Sequence, residues 1–295
     1  MNMLQDLESK ASSGESFSHE EAERVLACAD LVSVGTLGEL ARRARHGEVV
    51  TYDHVLVVDG DAAPSELGDA REVRITTRPE SVAAGCALVR EVVAASGDVP
   101  VTAFSAAGLL DLVGGDHLAL AEAARELREA GLSGIAFFPV DRFEEPAELV
   151  RALRHGGLDV TRATVDHAGT LLARFVCIER VAALQREVRG LLAFAPLPRF
   201  DEVETPSTGY DDVRTIAVAR LVCGEVPSIQ VDWVMYGPKL AQVAIAYGAN
   251  DIDNVPATDT LGLGHRRSPR TDIARQITAA FATPSARNSR FERVS

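Results

Sequence analysis

The stretches REVRIT (71–76), PESVAAGCALVREVVAAS (79–96), PVTAFS (100–105), HLALAEAARELREAG (117–131) and GIAFFPV (134–140) decide the fold. Short apolar, β-branched runs alternate here with helical patterns of about 10–15 residues, which is the mark of βαβ units and a parallel sheet with right-handed crossovers. Gly131 stands where a helix C-cap is expected. Downstream the rhythm continues through PAELVRALRHGG (146–157), DVTRATV (159–165), IERVAALQREVRG (178–190) and LLAFAPL (191–197). Upstream, VLVV (55–58) reads as a buried strand that stops at Asp59-Gly60-Asp61. Six strands are expected at 55–58, 72–76, 101–105, 135–139, 160–165 and 191–195, with a short last strand near IQVDWV (229–234). No GxGxxG or GxxxxGK[ST] follows any of them, so a mononucleotide-binding sheet lacks its phosphate loop. The pattern predicts an α/β protein, a complete or partial TIM-type (β/α) barrel.

Ahead of the barrel, Ser18 with Glu20 and Glu21 marks a helix start, and two short helices are expected up to His46. The division expected is an N-terminal helical extension over 1–48, a barrel core over 49–200, and a C-terminal region packing on the barrel over 201–295.

The 295 residues carry 30 basic and 43 acidic side chains, a net charge of −13. A field of that sign repels phosphate backbones and anionic lipid, so neither nucleic acid nor membrane is expected as a partner. Cys28, Cys86, Cys177 and Cys223 are scattered with no CxxC pair, which suggests neither a zinc ribbon nor a disulfide framework, and a cytoplasmic protein is expected. Cys86 and Cys177 fall in apolar-periodic segments and read as core residues. The N-terminus has no apolar leader, and no segment has the ~18 uninterrupted apolar residues of a membrane span.

In a TIM-type barrel ligands sit at the C-terminal ends of the strands. The residues placed there are Asp59 and Asp61, Thr76 and Arg78, Ser105, Asp141 and Arg142, Asp166 and His167, and Asp232 and Trp233. Asp166-His167 is the sharpest pair, because a carboxylate beside an imidazole can tune it for acid or base work. Its ordinary alternative is a cap on the next helix. Asp59 and Asp61 have the hard oxygens of a divalent-cation site, with a plain Asp-Gly turn as the alternative; no metal is assigned. GLGHRRSPR (262–270) could cradle an anion. Lys239, one of two lysines in an arginine-rich chain, and Gln242 complete the expected ligand-binding set, while Trp233 reads equally as core.

Longer stretches carry a resemblance. DDVRTIAVARLVCGEVPSIQVDWVMYGPKLAQVAIAYGANDID (211–253), followed by RRSPRTDIARQITAAFATPSARNSRFE (266–292), resembles the C-terminal region of one radical S-adenosylmethionine family. Its members are aminofutalosine synthase, dehypoxanthine futalosine cyclase and the synthase of the deazaflavin chromophore FO, and the menaquinone (futalosine pathway) branch is the nearer. Arg214, Arg220, Pro227, Gln230, Trp233, Gly237-Pro238-Lys239, Gln242, Gly248-Ala249-Asn250-Asp251, Pro284 and Arg287 carry it. The resemblance implies a CxxxCxxC loop after the first strand, where three thiolates hold a [4Fe–4S] cluster. Here that place reads DHVLVVDGDAAPSELGDAREVRI (53–75), without a cysteine, and the first barrel helix is cut to the loop AAPSELGDA (62–70). Thr76-Thr77-Arg78-Pro79-Glu80 stands where the family has a Gly-rich stretch that meets the methionine moiety.

The expectation is a chain that has lost the cluster and S-adenosylmethionine site, uses no cofactor and is not a functional radical enzyme. Two readings follow. One is a non-catalytic subunit that binds a nucleoside or aromatic acid, or pairs with a homologous radical S-adenosylmethionine enzyme; a homodimer is also open. The other is an enzyme of cluster-independent hydrolase or lyase type on a futalosine-like nucleoside or aromatic acid, with Asp166 and His167 catalytic.

Overall fold

The computed structural model describes residues 4–199, 208–258 and 272–294. Helices α1 (Glu8–Ser13), α2 (His19–Ala27) and α3 (Leu31–His46) lead into strand β1 (Val49–Val58). There follow β2 (Glu72–Ile75), α4 (Val82–Ser96), β3 (Val101–Ser105), α5 (Ala106–Leu112), α6 (His117–Glu129), β4 (Gly134–Phe137), α7 (Pro146–His155), β5 (Arg162–Val165) and α8 (Leu171–Val188). The chain then runs through β6 (Ala193–Pro198), α9 (Gly209–Val222), β7 (Ser228–Asp232), α10 (Trp233–Ile245), β8 (Asp251–Pro256), α11 (Ile273–Ala279) and β9 (Thr283–Ala286).

The strands lie in the order β4-β3-β2-β1-β8-β7-β6-β5, all parallel. At the seam β4 and β5 meet through the Pro139–Thr164 bridge, where Thr164 N donates to Phe138 O at 2.8 Å. This is a nearly closed barrel, the fuller form of the architecture read from the sequence. β9 lies outside the ring and pairs with residues 49–52 of β1, below the stretch 55–58 that pairs with β2.

Local chemistry sets the element ends. Ser18 accepts from Glu21 N while the Glu21 carboxylate accepts from Ser18 N at 2.7 Å, a capping box that starts α2. The side chains of Asp116 and Thr170 cap α6 and α8 by accepting from backbone N–H groups of the first turn, and Pro146 opens α7 with a preset φ. Gly131, just past α6, has φ +104°, which a side-chain-bearing residue resists.

Sequence and structure part at both ends. Residues 5–13, ahead of the expected helix start at Ser18, form a short 3-10 turn that buries Leu7 and helix α1, which buries Ala11. β8 and β9 were not expected, and the strand near IQVDWV is β7 at 228–232. Between β1 and β2 there is no helix, in keeping with the shortened loop. That loop is pinned: Asp69 N donates to Ala257 O, Arg71 N to His54 O, and a Cβ on Gly68 (φ +55°) would lie 2.3 Å from the Ala257 carbonyl oxygen. Among the described residues no helix is long and apolar enough to cross a membrane.

Candidate functional site

Strand side chains alternate between the helices and the barrel axis. The helix-facing set (Val73, Ile75, Val101, Ala103, Ala163, Val165, Ile229, Val231, Ile252) is apolar and buried. The other set is charged. Arg74 Nε meets Glu72 at 2.7 Å and its two terminal nitrogens meet Asp253 at 2.9 and 3.0 Å. Arg287 clasps Asp251 at 2.7 and 2.8 Å and reaches Asp53 at 2.7 Å. Arg162 lies 3.3 Å from Glu72 and 3.4 Å from Asp253, and Thr102 donates to Glu72 at 2.6 Å.

Guanidinium neighbours hold Glu72 and Asp253 far below the ordinary carboxylate range, against the burial that opposes it. Four carboxylates (Asp53, Glu72, Asp251, Asp253) face three arginines (Arg74, Arg162, Arg287) in this layer. Burial pushes Asp53 well above its usual value, against the pull of Arg287. Oxygens of Asp53, Glu72 and Asp253 approach within 4.8 Å of one another, as metal ligands do, but the three arginines already occupy their charge.

Above this layer the C-terminal mouth opens into two adjoining cavities, of about 340 and 680 Å³, that share Thr76, Phe137 and Arg199. Arg199, extending from the end of β6, stacks its guanidinium 4.0 Å from the Phe137 ring centroid. Its nearest carboxylate, Asp232, is 3.5 Å away, too loose for a hydrogen bond, and burial lowers its proton affinity. Asp232 is already engaged, since it caps α10 through Met235 N at 2.8 Å and accepts from Asn254 Nδ2 at 3.0 and 3.1 Å. Asn254, at φ +61°, lines the smaller cavity, and its buried Oδ1 has no hydrogen-bond partner. Val55, Val57, Val234 and Pro256 complete an apolar wall around these polar groups.

The larger cavity contains Arg78, Ser105, Arg142, Asp166 and His167. Asp141 holds the turn after β5 by accepting from Asp166 N at 2.9 Å and His167 N at 2.6 Å. Arg142 Nη1 is 3.4 Å from His167 Nε2. Burial, then the charge of Asp141, pushes the Asp166 carboxyl up to about 6, against the pull of His167, Arg199 and Arg142. The arrangement can grip an anion beside an aromatic face and can exchange a proton near neutral pH.

The expected residues divide in the structure. Asp166, His167, Thr76, Arg78 and Ser105 come together around the larger cavity. Asp59 and Asp61 line a shallower hollow of about 330 Å³ on the β1–β2 loop, adjoining the smaller cavity at Leu56 and Val57. Asp232 is buried beneath the mouth and acts there as helix cap and acceptor for Asn254. Trp233 is buried at the start of α10, Lys239 is exposed and Gln242 half-buried further along it, and none of the three lines these cavities. GLGHRRSPR lies outside the described residues. Sequence reading missed Arg74, Phe137, Arg199 and Asn254. Arg199 was reachable, because it follows LLAFAPLP at a strand end. Asn254 was not, since β8 was not recognised.

A cluster held by three thiolates requires cysteines at the loop after β1. Residues 59–71 offer carboxylates and hydroxyls and no thiol. Cys28, Cys86, Cys177 and Cys223 are buried, at the end of α2, within α4, within α8 and at the end of α9. Burial pushes the thiols of Cys177 and Cys223 up to about 12, away from the thiolate form. This donor set does not fit a [4Fe–4S] cluster.

Comparison with known proteins places the chain among relatives. Residues 189–294 match the family model described as the CofH/MqnC C-terminal region. The chain is 30% identical over 180 residues to aminodeoxyfutalosine synthase of Thermus thermophilus, covering 52% of this chain and 48% of that protein. It is 32% identical over 116 residues to the 5-amino-6-(D-ribitylamino)uracil–L-tyrosine 4-hydroxyphenyl transferase of Archaeoglobus fulgidus, covering 37% of this chain and 34% of that protein. The matches thus span about half the length of these relatives or less. In fold it is similar to the crystal structure of methylornithine synthase, with TM-score 0.66 at 12% identity over 95% of this chain and 97% of that one. The chain is thus a (β/α) barrel similar over part of its length to aminodeoxyfutalosine synthase and the 4-hydroxyphenyl transferases, and its residues 189–294 match the model of the CofH/MqnC C-terminal region.

Proposed function

We propose that this chain is a cluster-free relative of the futalosine-pathway enzymes whose barrel mouth binds a small anionic ligand, an aromatic acid or a nucleoside bearing a carboxylate, without radical chemistry. The observation that carries this reading is Arg199. Its guanidinium lies 4.0 Å from the Phe137 ring centroid, makes no hydrogen bond among the described residues, and faces a cavity whose wall is mostly apolar, with Arg74, Thr76 and Asn254 as its other polar groups. An arginine so placed is a fork for a carboxylate, and Phe137 gives an aromatic body a surface to stack on. The missing thiolates support the absence of a cluster, and with it the absence of the reductive step that the cluster supplies in the family.

Thermal-shift titration with aromatic carboxylates, futalosine-type nucleosides, adenosine and S-adenosylmethionine tests the binding. Stabilisation by a carboxylate and none by S-adenosylmethionine is the expected result; at 100 times Kd a ligand adds ~2.7 kcal/mol. Anaerobic reconstitution with iron and sulfide tests the rest. Stoichiometric uptake with cluster absorption would overturn the cluster-free reading. Silence with every ligand, together with copurification of a family enzyme from native extract, would move the function to a partner subunit.

The carboxyl of Asp166 favours a second reading. Pushed up to about 6 and set beside His167 and Arg142, it is partly protonated near neutral pH, as a general acid or base of hydrolase or lyase type requires. Any turnover found should be lost in Asp166→Asn and His167→Gln.

A further inference from the structure

The opposite end of the barrel has a cavity that the mouth does not explain. It measures about 280 Å³, and its lining includes His46, Thr51, Ser228, Asn250, Arg290 and Arg293, together with Arg287 and Phe291. These residues sit at the N-terminal ends of β1, β7 and β8 and on the segment after β9. No acidic side chain lines it among the described residues. Arg287 is satisfied by Asp251 and Asp53 below and stacks under Phe291 at 4.4 Å, so it contributes no free charge. Arg290 and Arg293 are exposed at the rim and form no ion pair among the described residues.

Behind the wall the charge is also cationic. Arg220, fully buried, donates to Gly248 O at 2.9 Å and to Asn250 Oδ1, while its Nη1 has no partner. Arg42, fully buried as well, donates to Gly47 O at 3.2 Å and leaves Nε and Nη2 unsatisfied; Glu39 is 4.0 Å from it. Arg45 bonds to the carbonyls of Gly224 and Gly14, with Nε unsatisfied. His46 Nε2 is buried without a partner, and burial, then the charges of Arg220, Arg45, Arg42 and Arg293, bring this imidazole down to about 4. The carboxylates nearby are Glu39 and Glu48, both bonded to Arg43, Glu225, beside Arg45, and Glu292, between Arg290 and Arg293 in the chain, which accepts from Asn288 Nδ2 at 2.8 Å and does not line the cavity. A buried donor without an acceptor is costly; His46 offers one at the cavity itself, and the guanidiniums of Arg42, Arg45 and Arg220, which do not line it, add positive potential behind its wall.

We propose that this cavity is a second ligand site, for a phosphate group, with Arg290 and Arg293 as the clamp, His46 as a hydrogen-bond partner and Arg220 supplying potential through Asn250. Phosphate fits better than a carboxylate because it brings up to two charges and several acceptor oxygens to a site rich in guanidinium donors. Its source is either free phosphate or a phosphate monoester entering phosphate first.

The test is thermal shift with inorganic phosphate and with ribose 5-phosphate, against chloride at matched ionic strength, on the full chain. Phosphate should raise Tm by about 2–4 °C. The rise should vanish in Arg290→Ser/Arg293→Ser, whose side chains are exposed and whose loss spares the fold, and persist in Arg90→Ser/Arg125→Ser, which removes two exposed arginines elsewhere. A tenfold tighter ester identifies a monoester as the source; equal affinity identifies free phosphate. No rise with either, or a rise that survives Arg290→Ser/Arg293→Ser, overturns the proposal.

Discussion

Replacing Arg287 with methionine tests whether the ionic layer holds the barrel together. The substitution keeps most of the unbranched stem and removes a guanidinium that makes contacts of 2.7 and 2.8 Å to Asp251 and 2.7 Å to Asp53, both acids being fully buried. Removing one partner of a buried pair costs about 3–5 kcal/mol, because the remaining charge keeps its desolvation penalty and loses its counter-charge. Two features limit the loss here. Asp53 sits well above its ordinary value already and is readily neutral, and Asp251 retains Thr51 at 2.5 Å and Gln230 Nε2 at 2.6 Å. A loss of about 4 kcal/mol is therefore expected at pH 7, a large share of the roughly 5–15 kcal/mol of a typical domain. Urea unfolding followed by far-UV circular dichroism, at pH 7 and pH 5, measures it. In the wild type, Glu72 and Asp253 are depressed by their arginines, so their contribution is complete above the unfolded carboxylate value and changes little between these pH values. In the variant a stranded carboxylate costs stability while ionised, and protons relieve that cost as pH falls, so the gap to wild type should narrow at pH 5. A loss below about 1 kcal/mol, or a gap equal at both pH values, would refute the reasoning. Arg287→Lys should fall between, since an ammonium cannot clasp Asp251 with two parallel bonds.

Three further outcomes are expected. Asp166→Asn should raise Tm relative to wild type at pH 8 and not at pH 4.5: a carboxyl pushed up to about 6 costs stability wherever it is ionised in the fold, and the amide removes that cost. An equal effect at both pH values would show that the carboxyl titrates normally. Gly38→Ala should destabilise by about 1–3 kcal/mol in the same urea assay, because its Cβ would lie 2.3 Å from the carbonyl oxygen of Tyr247, where α3 packs against the segment after α10. Arg199→Gln should weaken benzoate binding at least tenfold by calorimetry, since a charged hydrogen bond contributes about 1.5–3 kcal/mol; unchanged affinity would place the carboxylate elsewhere.

The parallel strands were legible where only one side of the sheet had to be apolar in a recognisable run. VLVV and AFAP read as strands directly. DIDNVP did not, because every second residue of β8 points into the ionic layer, and Asp251, Asp253 and the capping partner Asn254 look like a loop when their arginines are unseen. Those arginines come from positions 74 and 287, far from β8's residues in sequence or beyond an intervening helix, so no local pattern announces the pairing. Arg74 and Arg162 were likewise absorbed into short strands and carried no signal of their own. The strand-end rule found the wall of the larger cavity because position along a strand suffices for it. Lys239 and Gln242, singled out on other grounds, lie on α10 beyond the kink at Gly237 (φ +77°) and outside the lining of both cavities.

The same layer explains how the barrel tolerates a first βα unit with no helix. A strand that loses its covering helix needs other restraints on its edges and on its inward face. β1 has them along its whole length: β8 pairs one edge at residues 51–55, while β9 and β2 divide the other, at 49–52 and 55–58. Its inward face is tied by Asp53 to Arg287, which lies directly after β9, so the segment that pairs with the lower half of β1 also supplies the charge that fixes its centre. The C-terminal segment, though outside the ring, is thus a direct brace on β1. Truncation before residue 283 should then unfold the barrel; a truncated chain that kept its cooperative transition would show that β1 draws its stability from the β1–β2 loop and β8 alone.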